Sequence, residues 1–327
     1  LGCGTGLCGE FLKHITNDLV GIDISLKMLT KAKEKKVYNK LLKGDFINYL
    51  QKTNNLRITE IYKRRVMRLQ EDQVEQFESD GYIIIPELFS QKDVSILKAE
   101  VPKVFAQKRE ENVREKDGQT VRTSFATHTY NKLFSQFVRH PNVLNAAEKL
   151  LGGKVYVHQF KLNAKAAFAG DVWQWHQDFG TWHRDDGMPE PKAMNLAVFL
   201  DEVNEFNGPL YLIPKSHKYG VLEAGHDTDT TSYPLWTLNQ DTIKIMVEKG
   251  GIVAPKGPAG TGFFFHSCLV HASPPNISPW DRVIVYLSYN NVNNFIRRFS
   301  RPEWIAHRDF TPLEASDFSG LNAPSVS

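Results

Sequence analysis

The sequence predicts a mainly β protein, with a double-sheet jelly roll flanked by N-terminal helices and preceded by a partial α/β, Rossmann-like fragment. From Lys154 onward, short β-branched and aromatic runs alternate with turns rich in Gly, Pro, Asn and Asp. Many short strands at this spacing are typical of a jelly roll. Before them, apolar residues recur at helical spacing, and the chain opens with a glycine-rich turn.

The composition is that of an ordinary globular protein. Of the 327 residues, 41% are hydrophobic and 11% aromatic, and three cysteines are too few for a disulfide framework. No apolar run reaches the roughly 20 residues of a membrane span, and the first residues do not have the pattern of a signal peptide. We therefore expect a cytoplasmic protein with no membrane partner.

The positive charge belongs to the N-terminal part of the chain. Residues 1–66 contain 13 Lys and Arg against 6 Asp and Glu, a net charge of +7. The whole chain has 40 Lys and Arg and 37 Asp and Glu, so residues 67–327 contain 27 basic and 31 acidic residues, a net charge of −4. The overall charge of +3 is thus poor support for nucleic-acid binding, and we expect none.

The N-terminal segment has the pattern of a nucleotide-type site. Gly2, Gly4 and Gly6 form a turn that opens a helix, and the next apolar strand ends at Asp23. Glycine allows close backbone approach to a ligand, and the acid can accept hydroxyl hydrogen bonds. The segment resembles the first part of a class I S-adenosylmethionine-dependent methyltransferase.

This pattern stops near Lys52, and roughly 50 residues cannot bury enough surface to make that fold. A polar, basic stretch follows, and Met67 then opens a new amphipathic pattern. We expect a truncated methyltransferase-like fragment over residues 1–52, a linker over residues 53–66 and the main domain over residues 67–327.

Helices and one strand should precede the β region. We expect Asp93 to be the N-cap of a helix that Pro102 kinks or interrupts, and residues 110–119 to form a surface loop. After residue 153, residues 227–251 interrupt the strands as a lid-bearing insertion. The other expected elements are a helix over residues 71–78, the strand Tyr82–Ile85, a helix over residues 93–109 and helices within residues 134–151.

One pair of side chains has the spacing of a metal site. His176 and Asp178 are two residues apart, and residues i and i+2 of a strand project to the same side. His271, on or just after an apolar strand, is the best candidate for a third ligand. Two histidines and one carboxylate leave positions open for O2 and a chelating co-substrate, as non-haem Fe(II) oxygenases need. A structural zinc site, with its coordination filled, is the alternative.

Arg282 lies eleven residues after His271, in the run DRVIVYLSYN. A guanidinium at a strand end offers two parallel donors, which suit the far carboxyl group of a dicarboxylate. The alternative is an arginine at the surface. Together with three metal ligands, Arg282 predicts a site for 2-oxoglutarate.

Several stretches resemble, in order, the phytanoyl-CoA dioxygenase-type Fe(II)/2-oxoglutarate oxygenases. They include DGYIIIPELFS, YVHQFKLNAKAAFAGDVWQWHQDF, DGMPEPKAMNLAVFLDEVNEFNGPLYLIPKSHK, FHSCLVHASPPNIS and RDFTPL. Within that family the sequence is similar to ectoine hydroxylases and, more closely, to hydroxylases of free L-leucine. The resemblance implies a double-stranded β-helix with metal ligands at the mouth of the barrel, and the use of Fe(II), 2-oxoglutarate and O2.

The resemblance also implies individual roles. Arg282 should bind the C5 carboxylate of 2-oxoglutarate. Asn163 has the spacing of a co-substrate-binding asparagine, and Lys161, on the same strand face, could add a cationic contact. Asp178 argues for hydroxylation, because halogenases that resemble this family have a small residue at that position.

Four residues are candidates for substrate contact. Gln159 shares its strand face with the two co-substrate candidates and resembles a substrate-contacting residue of ectoine hydroxylase. Trp182 is the conspicuous aromatic residue after the metal motif, although a core or lid tryptophan is almost as well supported. Arg122 and His128 flank a stretch similar to one in leucine hydroxylases, and either could meet a carboxylate.

The first hypothesis is a hydroxylase of an aliphatic C–H bond in a small, leucine-like L-amino acid or derivative, yielding succinate and CO2. An ectoine-type or acyl-thioester substrate on the same fold is the alternative. A bifunctional or S-adenosylmethionine-binding fusion is less favoured, because the first segment is truncated. An inactive scaffold is disfavoured by the complete motif. The partner is a small molecule, and the oligomeric state stays open.

Overall fold

The computed structural model describes residues 20–23, 26–34, 36, 38, 40–43, 67–230, 233–316 and 321. The chain divides into two compact units, Leu1–Val66 and Met67–Ser327, and each is described by itself. Among these described residues, none of the helices has the length and apolar character needed to span a membrane.

In the first unit, two short strands pair in parallel. They are β1 (Val20–Asp23) and β2 (Lys40–Lys43), and helix α1 (Leu26–Glu34) lies between them in sequence. Parallel neighbours require such a crossover connection. The glycine-rich turn expected at residues 2–6 and the linker expected at residues 53–66 lie outside the described residues.

The helices of the second unit surround the strands. A buried apolar face on most of them explains why they pack rather than stand in solvent. The elements are α2 (Glu71–Asp80), α3 (Gln91–Phe105), α4 (Thr127–Tyr130), α5 (Lys132–Phe137), α6 (Pro141–Leu151), α7 (Asp178–Asp186) and α8 (Gln240–Gly250), with 3-10 turns at Ser216–Tyr219 and Val292–Asn294.

The expected N-cap of α3 was wrong, and so was the expected interruption at Pro102. The N-cap is Ser90, whose hydroxyl accepts a hydrogen bond from the backbone N–H of Asp93, while Asp93 itself lies in the first helical turn. There its carboxylate complements the positive end of the helix dipole. Pro102 does not interrupt α3, since the helix continues past it to Phe105, and the alternative expectation of a kink stays a prediction.

The strands of the second unit confirm the predicted β region. Residues 227–251, expected to interrupt the strands, contain the strand Leu235–Thr237, which pairs within the smaller sheet. Another strand lies where a loop was expected. Asn112–Arg114, within residues 110–119, is a strand because it pairs with its neighbour in the larger sheet. The strands are β3 (Tyr82–Ile85), β4 (Asn112–Arg114), β5 (Val121–Phe125), β6 (Val155–Lys165), β7 (Trp173–His176), β8 (Ala193–Phe199), β9 (Tyr211–Leu212), β10 (Gly225–Asp227), β11 (Leu235–Thr237), β12 (Gly262–His266), β13 (His271–Ser273) and β14 (Arg282–Asn291).

These strands form two antiparallel sheets, which is the predicted double-sheet jelly roll. The larger sheet has the order β3-β12-β8-β14-β6-β5-β4, and the smaller has the order β10-β11-β7-β13-β9. The long strands β6, β8 and β14 occupy the centre of the larger sheet, where both faces are covered.

Alternation along β14 shows how the two faces differ. Val285 and Leu287 belong to the large core that helices α2, α3, α5 and α6 cover. Ile284 and Tyr286 project to the opposite face and pack in a second core, which also contains Leu212 of the smaller sheet. Side chains on this inner face of β6, β8 and β14 therefore point into the barrel.

Candidate metal and co-substrate site

Three side chains converge where the smaller sheet meets α7. His176 ends β7, His271 begins β13, and the two residues are register partners in the antiparallel pair. Asp178 lies between their imidazoles, with Oδ1 3.7 Å from Nε2 of His176 and Oδ2 3.6 Å from Nε2 of His271. All three are buried, and their potential ligand atoms lie within 4.8 Å of one another. This spacing can enclose one metal ion.

The prediction that His176 and Asp178 lie in the same strand was wrong. Asp178 is not in the strand with His176; it is the first residue of α7, and Gln177 is the N-cap. The side chain of Gln177 donates to the carbonyls of Gly220 and Cys268, at 2.8 and 2.7 Å, and holds the turn. A strand-to-helix turn thus brings the carboxylate to the imidazoles.

Backbone carbonyls orient both imidazoles. Nδ1 of His176 lies 2.6 Å from the carbonyl of Gln174, and Nδ1 of His271 lies 2.8 Å from the carbonyl of Leu269. A carbonyl can only accept, so each Nδ1 carries the hydrogen. Each Nε2 is then left with its lone pair free for a metal.

The protonation states suit a divalent cation. Burial lowers the pKa of His176 to about 3 and also lowers the pKa of His271. Burial by itself raises the pKa of Asp178, but Lys161, the two histidines and the Asn195 amide outweigh it, so that this pKa lies below its ordinary value. Neutral imidazoles beside an ionised carboxylate are the forms that bind a metal.

A cavity of about 350 Å³ opens from the three ligands. The inner faces of β6 and β14 form one part of its wall, with Gln159, Lys161, Asn163, Arg282 and Tyr286. The segment expected to bear a lid forms another part. Residues 227–251 contribute Tyr233, Leu235 and Trp236 to the wall, and the C-terminal region contributes Arg301 and Ile305.

Arg282 is a buried cation with unused donors. Its side chain is fully buried at the start of β14 and hydrogen-bonds to the hydroxyl of Tyr286. Within the described part of the chain, Nε and Nη1 have no hydrogen-bond partner. Leaving charged donors unpaired in a protein interior is costly. The guanidinium therefore fits a site whose carboxylate comes from a bound ligand.

The polar residues of β6 face the same cavity. Asn163 is buried, and its Oδ1 has no hydrogen-bond partner among the residues that the structure describes. Burial lowers the pKa of Lys161, partly opposed by the charge of Asp178. Gln159 is held from the other side, since its amide donates to the carbonyl of Ile305 at 2.9 Å. All three residues line the cavity, as the co-substrate and substrate expectations required.

Of the remaining substrate candidates, the structure brings only Trp182 to the cavity. Arg122 is 1% exposed, because Glu115 accepts from its Nη1 at 3.1 Å and the Val172 carbonyl accepts from its Nη2 at 2.6 Å. His128 packs edge-on against His307, with ring centroids 4.6 Å apart. Arg122 and His128 are absent from the described residues that line the cavity, so the structure adds no support for a substrate contact by either, and that role stays a prediction.

The sequence did not point to Arg301, which also lines the cavity. It is one of three arginines in RRFSR, a segment without strand alternation or motif spacing, so nothing local distinguishes it from its exposed neighbours. Its guanidinium forms a bidentate pair with the fully buried carboxylate of Asp186. Tyr233 also hydrogen-bonds to Arg301 from the cavity wall.

Comparison with known families agrees with this geometry. The model of the family described as phytanoyl-CoA dioxygenase (PhyH) matches residues 77–284. A second model, described as a methyltransferase domain, matches residues 1–55.

Similar proteins include an ectoine dioxygenase of Bordetella parapertussis, 37% identical over 256 residues that cover 73% of this chain and 83% of that protein. An L-proline trans-4-hydroxylase of Streptomyces griseoviridis is 36% identical over 252 residues, covering 74% of this chain and 94% of that protein. The crystal structure of EctD from S. alaskensis with bound Fe has a TM-score of 0.67 at 31% identity, covering 76% and 87% of the two chains. The same protein with 2-oxoglutarate and 5-hydroxyectoine has a TM-score of 0.65 at 30% identity, covering 77% and 87%.

These matches, together with the His-Asp-His cluster, confirm the predicted jelly roll and the predicted enzyme class, an iron- and 2-oxoglutarate-dependent dioxygenase. Residues 67–327 carry both the fold and the cavity described above. The chain belongs to the phytanoyl-CoA dioxygenase (PhyH) family.

Proposed function

We propose that this dioxygenase hydroxylates an aliphatic C–H bond of a small, leucine-like L-amino acid or a close derivative, while 2-oxoglutarate is converted to succinate and CO2. One observation carries the proposal. A single cavity contains the three-ligand cluster, the guanidinium of Arg282 with unused donors, and a second guanidinium, that of Arg301. Two fixed guanidinium groups suit two carboxylates, one from the co-substrate and one from an amino acid.

The size of the cavity supports a small substrate. Its volume of about 350 Å³ is near the lower end of the range for small-molecule sites. The co-substrate must occupy part of this space. The rest suits a molecule of amino-acid size better than a large acyl thioester. Aromatic walls formed by Trp173, Trp182, Trp236 and Phe265 favour burial of aliphatic carbon.

We assign the site residues to the metal and to the far end of the co-substrate. His176, Asp178 and His271 would hold Fe(II), and Arg282, oriented by Tyr286, would bind the far carboxylate. Bound iron supplies, with 2-oxoglutarate and O2, the oxidising chemistry that breaks an unactivated C–H bond. The chain's own contribution is to exclude water and to hold one C–H bond of the substrate towards the metal.

Arg301 is the residue that we propose for the substrate carboxylate, in place of Arg122 or His128. Asp186 holds the Nε and Nη2 edge of the guanidinium, so its orientation at the cavity wall is set before a ligand arrives. Gln159 and Trp182 remain proposed as substrate contacts, and Asn163 and Lys161 as co-substrate contacts. Their positions along the cavity wall support these roles.

An ectoine-type substrate is the second candidate, favoured by the 37% identity to an ectoine dioxygenase. Ectoine also combines a carboxylate with aliphatic carbon, so the same two arginines would serve it. A substrate panel with mass-spectrometric detection of one added oxygen separates the two candidates.

We also propose that residues 1–52 are a truncated methyltransferase-like fragment, that residues 53–66 are a linker and that residues 67–327 form the oxygenase, which acts in the cytoplasm. The methyltransferase-domain match to residues 1–55 supports the first part. Tight S-adenosylmethionine binding by the full chain in calorimetry would contradict this division and favour a bifunctional protein.

The decisive experiment uses the full chain with Fe(II), 2-oxoglutarate and O2. We expect substrate-dependent succinate formation and a product heavier by one oxygen with at least one L-amino acid of the panel. His271→Ala should abolish both, and Arg122→Lys, outside the cavity, should preserve both. Absence of the weak visible charge-transfer band on anaerobic addition of Fe(II) and 2-oxoglutarate would contradict the co-substrate assignment.

A further inference from the structure

We infer that Asn195 is a positioning residue for the metal-ligating carboxylate: its amide holds one oxygen of Asp178 and thereby determines which oxygen faces the metal. Nδ2 of Asn195 donates to Oδ2 of Asp178 at 2.8 Å. Asn195 is 1% exposed and lies on the inner face of β8, so water does not compete for this bond. The inference rests on the proposed role of Asp178 as a ligand.

Ser288 sets the direction of the Asn195 amide. These residues are register partners in β8 and β14, and the hydroxyl of Ser288 donates to Oδ1 of Asn195 at 2.5 Å. A donor on Oδ1 leaves the NH2 group to face the other way, towards Asp178. Both side chains are fully buried, so the hydrogen bonds run in one fixed direction, from Ser288 to Asn195 and from Asn195 to Asp178.

This fixed direction determines what the carboxylate offers to a metal. The turn at Gln177 fixes the backbone before Asp178, but its carboxylate could still rotate about its own side-chain bonds. Oδ2 lies 3.6 Å from Nε2 of His271 but shares its lone pairs with the amide of Asn195, so Oδ1, 3.7 Å from Nε2 of His176, is favoured as a single-oxygen ligand. Such a ligand leaves more coordination positions open for co-substrate and O2 than a carboxylate that binds through both oxygens.

Loss of the amide would release Oδ2 to two competing partners. One is the metal itself, which would then gain a second oxygen from the same carboxylate. The other is Lys161, whose charge already acts on Asp178 from the cavity side. Either change alters both the affinity for a metal and its coordination, beyond any loss of packing.

The test is titration of the full-length protein with Co(II) in the absence of O2, followed by the visible absorption of the bound ion. Asn195→Leu keeps similar volume without the hydrogen bonds, and Asn195→Ser shortens the side chain. We expect both variants to bind Co(II) about 10-fold or more weakly, in the range found for loss of groups that orient metal ligands, with an altered absorption spectrum. Ser288→Ala should have a smaller effect in the same direction.

Asn290→Ala is the matched control. Asn290 is equally buried in β14 and hydrogen-bonds to Tyr156 and Asn294, away from the three ligands. It should lower the melting temperature and leave Co(II) affinity and absorption unchanged. Unchanged affinity and spectrum in either Asn195 variant would overturn the inference, and so would an equal loss of affinity in Asn290→Ala.

The same titration separates this inference from the proposed function. If wild-type protein binds Co(II) and His271→Ala does not, the Asn195 result stands whether or not any amino acid is hydroxylated. If wild-type protein binds no Co(II), both the metal site and the inference built on it are overturned.

Discussion

Arg301 donates to both carboxylate oxygens of Asp186, from Nε at 2.8 Å and from Nη2 to the second oxygen. Asp186 is the last residue of α7, and Asp178 is the first. With a rise of about 1.5 Å per residue, this helix separates the Cα atoms of the two residues by roughly 12 Å along its axis. One short helix therefore sets the spacing between the metal ligand and the arginine proposed for the substrate.

Asp186→Asn should weaken substrate binding. A neutral amide cannot accept two charge-assisted hydrogen bonds, so Arg301 loses its fixed orientation. We expect the KM for the amino-acid substrate to rise about 10-fold, since this corresponds to roughly 1.4 kcal/mol, with little change in the KM for 2-oxoglutarate. Steady-state kinetics measure both. Glu111→Gln removes a partner of the Arg109 surface ion pair and is the control. An unchanged substrate KM in Asp186→Asn would contradict the proposed role of Arg301.

Arg282→Lys should raise the KM for 2-oxoglutarate by about 10-fold or more, because an ammonium cannot supply two parallel donors to a carboxylate. The substrate KM should change less. Arg122→Lys is the matched control, since Arg122 is equally buried but pairs with Glu115 outside the cavity. It should lower stability and leave both KM values near wild type. An equal effect of the two substitutions on the KM for 2-oxoglutarate would contradict the assignment of Arg282.

The fold should lose stability in mild acid through two histidines outside the metal cluster, the buried His307 and the half-buried His266. Burial lowers the pKa of His266 to about 4, helped by the charge of His217, and lowers that of His307 to about 4, helped by His158. Below the ordinary pKa of about 6.5, the unfolded chain binds protons that the folded protein excludes. Stability from this source is complete above pH 6.5 and is lost progressively down to pH 4, by roughly 3 kcal/mol for the buried His307 and by less for the partly exposed His266.

Urea unfolding of metal-free protein at pH 7.5 and pH 5 measures this loss. His307→Gln should reduce the difference between the two pH values, whereas His226→Gln, at an exposed position, should not. An identical pH dependence in wild type and His307→Gln would show that the buried imidazole is not responsible.

Metal binding should be nearly independent of pH between 6 and 8. In the metal-free protein the pKa of His176 is about 3 and that of His271 is also lowered, chiefly by burial, while Asp178 is ionised. Binding then displaces few protons, and we expect Co(II) affinity to change less than about twofold over this range. Calorimetry in buffers of different ionisation enthalpy measures the protons released. Release of one proton or more at pH 6.5 would contradict this expectation.

The sequence by itself determined the features that depend on local spacing. Alternating apolar runs specified the strands, and inward alternation along one strand placed Gln159, Lys161 and Asn163 on the cavity wall. The short spacing of His176 and Asp178 brought them together even though the backbone between them is a turn into a helix. Residues this close in sequence stay close in most backbone conformations. The predicted convergence of His176 and Asp178 therefore holds although the predicted strand does not extend to Asp178.

Only the tertiary structure decided which distant polar groups reach the cavity and which are already engaged. The buried Arg122 and the half-buried Arg301 both lie next to carboxylates, but Glu115 holds the first away from the cavity, while Asp186 holds the second at its wall. The bond from Asn195 to Asp178 likewise depends on the meeting of β8 with α7. Such pairings join residues far apart in sequence, and their geometry follows from how sheets and helices pack together, which no local pattern encodes.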